Sequence, residues 1–115
     1  MLPVVMLVED DPLLVRACVR FLSSPKYELV VTTNPQQALR EAVLYGDRLK
    51  VLVTDQNLNG LGENLADDLR TRHPELQVIV LSGDTLLQTK YHTIHKPFGL
   101  EPFRQAILEK LGLTE

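Results

Sequence analysis

Glu9 and Asp10, Asp55, Ser82 and Lys96 stand at four separated points of the chain, and their side chains make chemical sense together if the fold brings them to one place. Three carboxylates in one crevice repel one another and raise each other's pKa values unless a cation sits among them. An all-oxygen site with few protein ligands and room for water suits Mg2+, with Mn2+ as the alternative. A lysine and a hydroxyl opposite such a cation can hold the remaining oxygens of a phosphoryl group and spread the charge that develops on it. Asp55, between metal and lysine, is then the natural acceptor nucleophile. Each residue alone carries little weight, because Asp and Ser are also ordinary turn residues and a lysine is commonly a solvated surface charge. The chemistry therefore depends on the elements that position these side chains.

Asp55 closes Val51-Leu-Val-Thr-Asp, a short apolar run followed by Asn-Leu-Asn-Gly. Such a run bounded by turn residues reads as a strand buried on both faces. Val4–Val8 is a similar strand and ends in Glu9-Asp10-Asp11-Pro12. There Asp11 at N-cap and Pro12 at the first helical position start a helix reaching about Ser23. Apart from Arg16 and Arg20 that helix is apolar almost all round, more than an amphipathic surface helix needs. Glu28–Thr32 reads as an edge strand, and Asn34-Pro35 opens a helix whose buried face carries Ala38, Leu39, Ala42 and Val43, with Gly46 after its end. A third helix covers about Glu63 to Arg72, burying Leu65, Ala66 and Leu69. Val78–Leu81 and Thr93–His95 are the fourth and fifth strands, ending at Ser82 and at Lys96-Pro97-Phe98. A last helix, from about Glu101-Pro102, shows Phe103, Ala106, Ile107 and Leu111 at helical spacing.

Strands alternating with helices of this length predict βα units and a parallel sheet. The expected fold is α/β and flavodoxin-like, a (βα)5 three-layer sandwich with strand order 2-1-3-4-5. Its switch point lies between the first and third strands, and the carboxyl ends of the strands form the crevice. That edge collects Glu9, Asp10, Asp55, Ser82 and Lys96.

The connection after the fourth strand is short. Ten residues, 83 to 92, separate Ser82 from Thr93. A parallel crossover needs at least about 10–12 residues including its helix. The spacing therefore predicts a fourth helix that is missing or reduced to a single turn.

Composition bounds the rest. The 115 residues, 44% hydrophobic and 23% charged, are expected to form a single domain, 1–115. A net charge of −3 argues against a nucleic-acid surface. Cys18 is the only cysteine, which excludes an internal disulfide and suggests a reducing cytoplasm. No apolar run approaches the roughly 18–20 residues that span a bilayer, and the opening residues carry no basic stretch, so neither membrane nor signal peptide is expected. His92 and His95 form an H-x-x-H, but residues three apart on a strand face opposite sides, and a zinc site is not expected.

Val-Glu-Asp-Asp-Pro, the strand ending in Asp55, Leu-Ser-Gly and Lys-Pro-Phe, in this order at four strand ends, resemble the receiver domain of bacterial two-component response regulators. The resemblance spans essentially the whole chain. It implies a phosphoacceptor that takes a phosphoryl group onto Asp55 from a phosphohistidine on a histidine kinase or histidine phosphotransfer protein. It further implies Asp10 as direct metal ligand, Glu9 acting mainly through water, and Asn57 lending a backbone carbonyl. Ser82 takes the place of the small hydroxyl residue and Lys96 that of the paired lysine, with a cis Lys96-Pro97 bond. The alternative is a pseudo-receiver adaptor that binds partners without phosphorylation.

An enzyme proper is not expected. There is no P-loop, and a haloacid-dehalogenase-like phosphatase would carry a second aspartate where this chain has Asn57.

The chain departs from the family's pattern at three places. Asn59 replaces the usual proline, the loop before Gly62 is one residue short, and Thr93 stands where the family keeps an aromatic switch residue, with Tyr91 out of register. Together with the missing helix, this implies a monomer whose output does not use the helix four, strand five and helix five face. The setting implied is a hybrid kinase or a lone relay. In the family the first helix meets the donor's helices, so Leu13, Leu14 or Val15 is expected to supply an anchor.

Overall fold

The computed structural model describes residues 1–56, 62–83, 89–96 and 99–113. β1 (Val4–Val8), β2 (Glu28–Thr32), β3 (Leu49–Asp55), β4 (Gln77–Ser82) and β5 (His92–His95) form one sheet in the order β2-β1-β3-β4-β5. Every neighbouring pair is parallel. The helices are α1 (Pro12–Leu22), α2 (Pro35–Tyr45), α3 (Gly62–Arg72) and α4 (Leu100–Lys110), each of 11 residues. This is the flavodoxin-like order that the alternation of strands and helices predicts.

Period-two alternation along the strands divides the interior. Val4, Met6, Val8, Leu52, Val78 and Val80 face Ala38 and Ala42 of α2 and Leu65, Ala66 and Leu69 of α3. Val5, Leu7, Val51, Val53, Ile79 and Leu81 face Cys18 and Leu22 of α1 and Phe103, Ala106, Ile107 and Leu108 of α4. All five residues of β1 are buried, as expected of a central strand covered on both sides. Between β1 and β3 the register slips: Val4 pairs with Leu49 but Val5 with Val51. The extra residue, Lys50, is squeezed out and exposed, which lets both Leu49 and Leu52 reach the α2/α3 side.

The helix starts follow their caps. The Asp11 side chain accepts from Leu13 N at 3.0 Å, and Asn34 accepts from Gln37 N at 2.8 Å, each followed by proline at the first turn. Gly46 ends α2 at φ 53, a backbone region that a side chain would strain, and its N–H returns to the Ala42 carbonyl. Two details differ from the sequence reading. Gly46–Arg48 continues as a 3-10 turn, in which Arg48 reaches the Leu2 carbonyl and Glu28. Val43 is 66% exposed rather than on the buried face, because the small Ala38 and Ala42 bring α2 close to the sheet and leave Val43 on the shoulder.

Among the described residues no helix lies between β4 and β5. Gly83 and residues 89–91 are not helical, and positions 84–88, on which the expected missing or single-turn helix falls, lie outside the described residues. β5 starts at His92, one residue before the expected Thr93, so the connection is residues 83–91, shorter than the about 10–12 residues of a crossover with its helix.

Candidate functional site

Three main-chain hydrogen bonds continue the parallel pairing one residue past the strands and thereby place the site. Glu9 N donates to Thr32 O at 3.0 Å, Gln56 N to Leu81 O at 2.8 Å, and Lys96 N to Ser82 O at 2.6 Å. The residues ending β1, β3, β4 and β5 are thus held level at the carboxyl edge. The acidic pair leaves β1 beside Asp55 because Val8 and Thr54 are register partners. Ser82 pairs with His95, next to Lys96.

At that edge the Lys96 ammonium donates to Asp55 Oδ2 at 2.9 Å and approaches Glu9 Oε1 at 3.5 Å. Glu9 is fully buried and Asp55 nearly so, at 3% exposure, whereas Asp10 is exposed. Glu9 Oε2 accepts from the main-chain N–H groups of Asp10 at 3.0 Å and Asp11 at 3.2 Å. One ligand oxygen from each of Glu9, Asp10 and Asp55 lies within 4.8 Å of the others.

Burial pushes the Glu9 carboxyl up to about 7; the Asp11 N–H pulls it back, Asp55 adds to the rise, and Lys96 opposes it. Burial alone would pull the Lys96 ammonium down, but the hydrogen bond and charge of Asp55, with Glu9 behind it, outweigh that and leave it raised. One lysine is thus shared by two buried carboxylates, with a third beside them. A hard divalent cation fits: the donors are all oxygen, and exposed Asp10 gives solvent a way in.

The structure thus brings Glu9, Asp10, Asp55 and Lys96 together. Ser82 is buried at the end of the neighbouring strand. Asn57 and the bond to Pro97 lie outside the described residues. Sequence reasoning missed Gln56, whose side-chain oxygen accepts from Glu63 N at 3.0 Å and so ties the residue after Asp55 to the first turn of α3. Glutamine is not a preferred cap, so nothing in its type announced this. It also assigned no partner to Tyr91, whose hydroxyl donates to Asp67 on α3.

In a doubly wound parallel sheet ligands bind outside the carboxyl ends of the strands at the switch point, and this acidic, lysine-bridged crevice lies there. Residues 5–107 match the family model described as the response regulator receiver domain, and the chain belongs to that family. No curated protein matches the sequence. Among solved structures, the signal receiver domain of an HD domain-containing protein from Pseudomonas fluorescens Pf-5 is similar at TM-score 0.81 and 20% identity, covering 97% of this chain and 96% of that one. A response regulator from Thermotoga maritima gives 0.77 and 20%, with 97% and 99% covered. The chemotaxis protein CheY4 of Vibrio cholerae gives 0.80 and 18%, with 95% and 98% covered. At these identities the likeness speaks for the fold.

Receiver domains are signalling domains rather than enzymes in the ordinary sense. They bind Mg2+ at an acidic pocket and interact with phosphodonor kinases or phosphotransfer proteins, and the family supports a phosphoacceptor signalling role for this chain. No helix among the described residues is long and apolar enough to cross a membrane.

Proposed function

We propose that residues 1–115 act as one receiver domain in which Asp55 accepts a phosphoryl group from a phosphohistidine on a histidine kinase or histidine phosphotransfer protein. A carboxylate oxygen of Asp55 attacks phosphorus, the P–N bond to the imidazole breaks, and the imidazole leaves with the electron pair and takes up a proton. Glu9 and Asp10, with Asp55 and the Asn57 carbonyl, would hold Mg2+ or Mn2+, which supplies charge to balance the carboxylates and the transferred group. Lys96 keeps Asp55 oriented and then pairs with a phosphoryl oxygen; Ser82 donates its hydroxyl to another. The same site slowly hydrolyses the acyl phosphate, and the phosphorylated state changes partner interactions.

One observation carries the reading: Lys96 Nζ stands 2.9 Å from Asp55 Oδ2 with Glu9 and Asp10 clustered on the same carboxylate. A fold retained only as an adaptor would have no use for three mutually repelling carboxylates at one strand edge. Incubation with acetyl phosphate and Mg2+, read by intact mass, separates the two readings, because an adaptor gains nothing.

The donor meets α1 on this reading. Leu13, in the first turn of α1, is 72% exposed, and Val19 and Phe21 are also exposed. Leu14 and Val15 are half-buried, with Leu14 packed toward the α1/α4 core. Leu13 is therefore the anchor for the donor's helices.

A further inference from the structure

β5 has a mechanical problem. It is a four-residue edge strand, paired only with β4, yet it must hold Lys96 against Asp55. A regular crossover helix would normally pin the start of such a strand to the sheet, and the connection between Ser82 and His92, residues 83–91, is shorter than the about 10–12 residues such a crossover takes. On the core side Ile94 packs toward α1 and α4. On the other side, Tyr91, the residue before β5, lays its ring against the α2/α3 core and donates its hydroxyl to Asp67 Oδ1 on α3. Lys90 Nζ lies 2.9 Å from the same oxygen and 5.5 Å from the centre of the Tyr91 ring. Tyr91 is fastened within its own segment as well: its N–H donates to Thr89 Oγ1 at 3.3 Å, and its carbonyl accepts from Thr93 Oγ1 at 3.2 Å. An exposed Lys–Asp pair alone is worth little. A half-buried tyrosine donating to an ionised carboxylate is a stronger, directional tie. Burial, then the Asp67 hydrogen bond and charge, push the Tyr91 hydroxyl up to about 12, and Tyr91 and Lys90 hold Asp67 below its usual value.

We propose that Tyr91 and Asp67 form a latch between the start of β5 and α3 that positions Lys96 for the reaction at Asp55. The chain makes the lever short: Tyr91 fixes the amino end of β5, and Lys96 leaves its carboxyl end with its own N–H on Ser82 O. A strand of this length cannot shift at one end without moving the other. Thr93 keeps its place in the row, paired with Val80, while its hydroxyl braces Tyr91. Tyr91 and Asp67 are positioning residues and touch no reacting atom. The proposal rests on the reading of Asp55 as acceptor.

The test uses the full chain as wild type, Tyr91→Phe, Asp67→Ala, Asp67→Asn and the Tyr91→Phe/Asp67→Ala double variant. Hydrogen exchange of the peptide carrying residues 92–96 is followed by mass spectrometry, and the rate of acetyl phosphate incorporation with Mg2+ is measured against acetyl phosphate concentration. Tyr91→Phe and Asp67→Ala should each speed exchange of that peptide about tenfold while leaving β1 and β3 unchanged, as expected for losing one hydrogen bond to a charged group. The double variant should add nothing further. Asp67→Asn, whose amide oxygen still accepts, should recover most of the protection. The maximal phosphorylation rate should fall several-fold in both single variants, with the half-saturating acetyl phosphate concentration unchanged. Unchanged exchange in both single variants would overturn the latch. Faster exchange with an unchanged maximal rate would overturn the positioning of Lys96. A wild type that takes up no phosphate would instead defeat the acceptor assignment and the positioning role with it, while the exchange arm still decides the latch.

Discussion

Lys96 Nζ stands 2.9 Å from Asp55 Oδ2, joining two strand ends 41 positions apart in the chain, with Glu9 buried 3.5 Å behind the same ammonium. One cation thus serves two buried carboxylates, and a third, Asp10, lies close by. Such a cluster is a stability cost without a divalent ion and a binding site with one.

That cost is measurable. Without divalent ion, Asp10→Asn and Asp55→Asn should each raise Tm by a few degrees by relieving repulsion. Mg2+ should raise the Tm of the wild type and leave both variants nearly unmoved. Thermal scans with Mg2+ and with a chelator check this. A wild type indifferent to Mg2+ would contradict it.

Glu9 sets a pH dependence with a definite sign. Its pKa is raised from 4.5 to about 7 by burial, so the metal-free folded chain holds a proton that the unfolded chain releases across that window. Stability of the metal-free protein should therefore fall as pH rises from about 4.5 to 7 and level off above. Mg2+ needs the ionised form, so its affinity should increase over the same range with release of a proton. Calorimetry in buffers of different protonation enthalpy detects that proton, and Glu9→Gln should abolish both trends.

The order of elements and of strands, and the meeting of the strand-end side chains at one edge, were legible because each rests on a local rule. Alternation of apolar strands with capped helices fixed the sheet order; Asp11-Pro12 and Asn34-Pro35 marked helix starts through side-chain acceptors that are present in the structure. Asp10, Asp55 and Lys96 could be read together because strand ends in such a fold share one edge. Other features had no local signal. The bulge at Lys50 comes from fitting β3 against β1, and the exposure of Val43 comes from how closely two alanines draw α2 to the sheet. Tyr91 was visible as an aromatic out of register, but its partner Asp67 is 24 positions away, and only tertiary packing joins them.

Leu13 separates docking from chemistry. Leu13→Ala should leave phosphorylation by acetyl phosphate unchanged and stability within about 0.5 kcal/mol, since the side chain is mostly in solvent. Phosphotransfer from the cognate histidine donor should fall at least about tenfold through weaker binding, the scale of a lost interface anchor. Equal loss with both donors would place Leu13 in the fold or the chemistry instead.

Lys96→Ala divides orientation from folding. The side chain is partly exposed, so Tm with Mg2+ present should change by no more than a few degrees. The phosphorylation rate should drop by about 100-fold or more, as expected when one preorganised charge at a phosphoryl group is removed. Stopped-time acid quench of acetyl phosphate reactions measures the rate; a drop proportional to the fraction unfolded would assign Lys96 to structure.

The acceptor assignment has one direct measurement. The chain has no tryptophan to report on the site by fluorescence, so intact mass is the readout. Wild type incubated with acetyl phosphate and Mg2+ should gain the mass of one phosphoryl group, lost on addition of hydroxylamine as an acyl phosphate should be. Asp55→Asn should gain none. A gain that persists in Asp55→Asn, or no gain in the folded wild type, would contradict Asp55 as the phosphoacceptor.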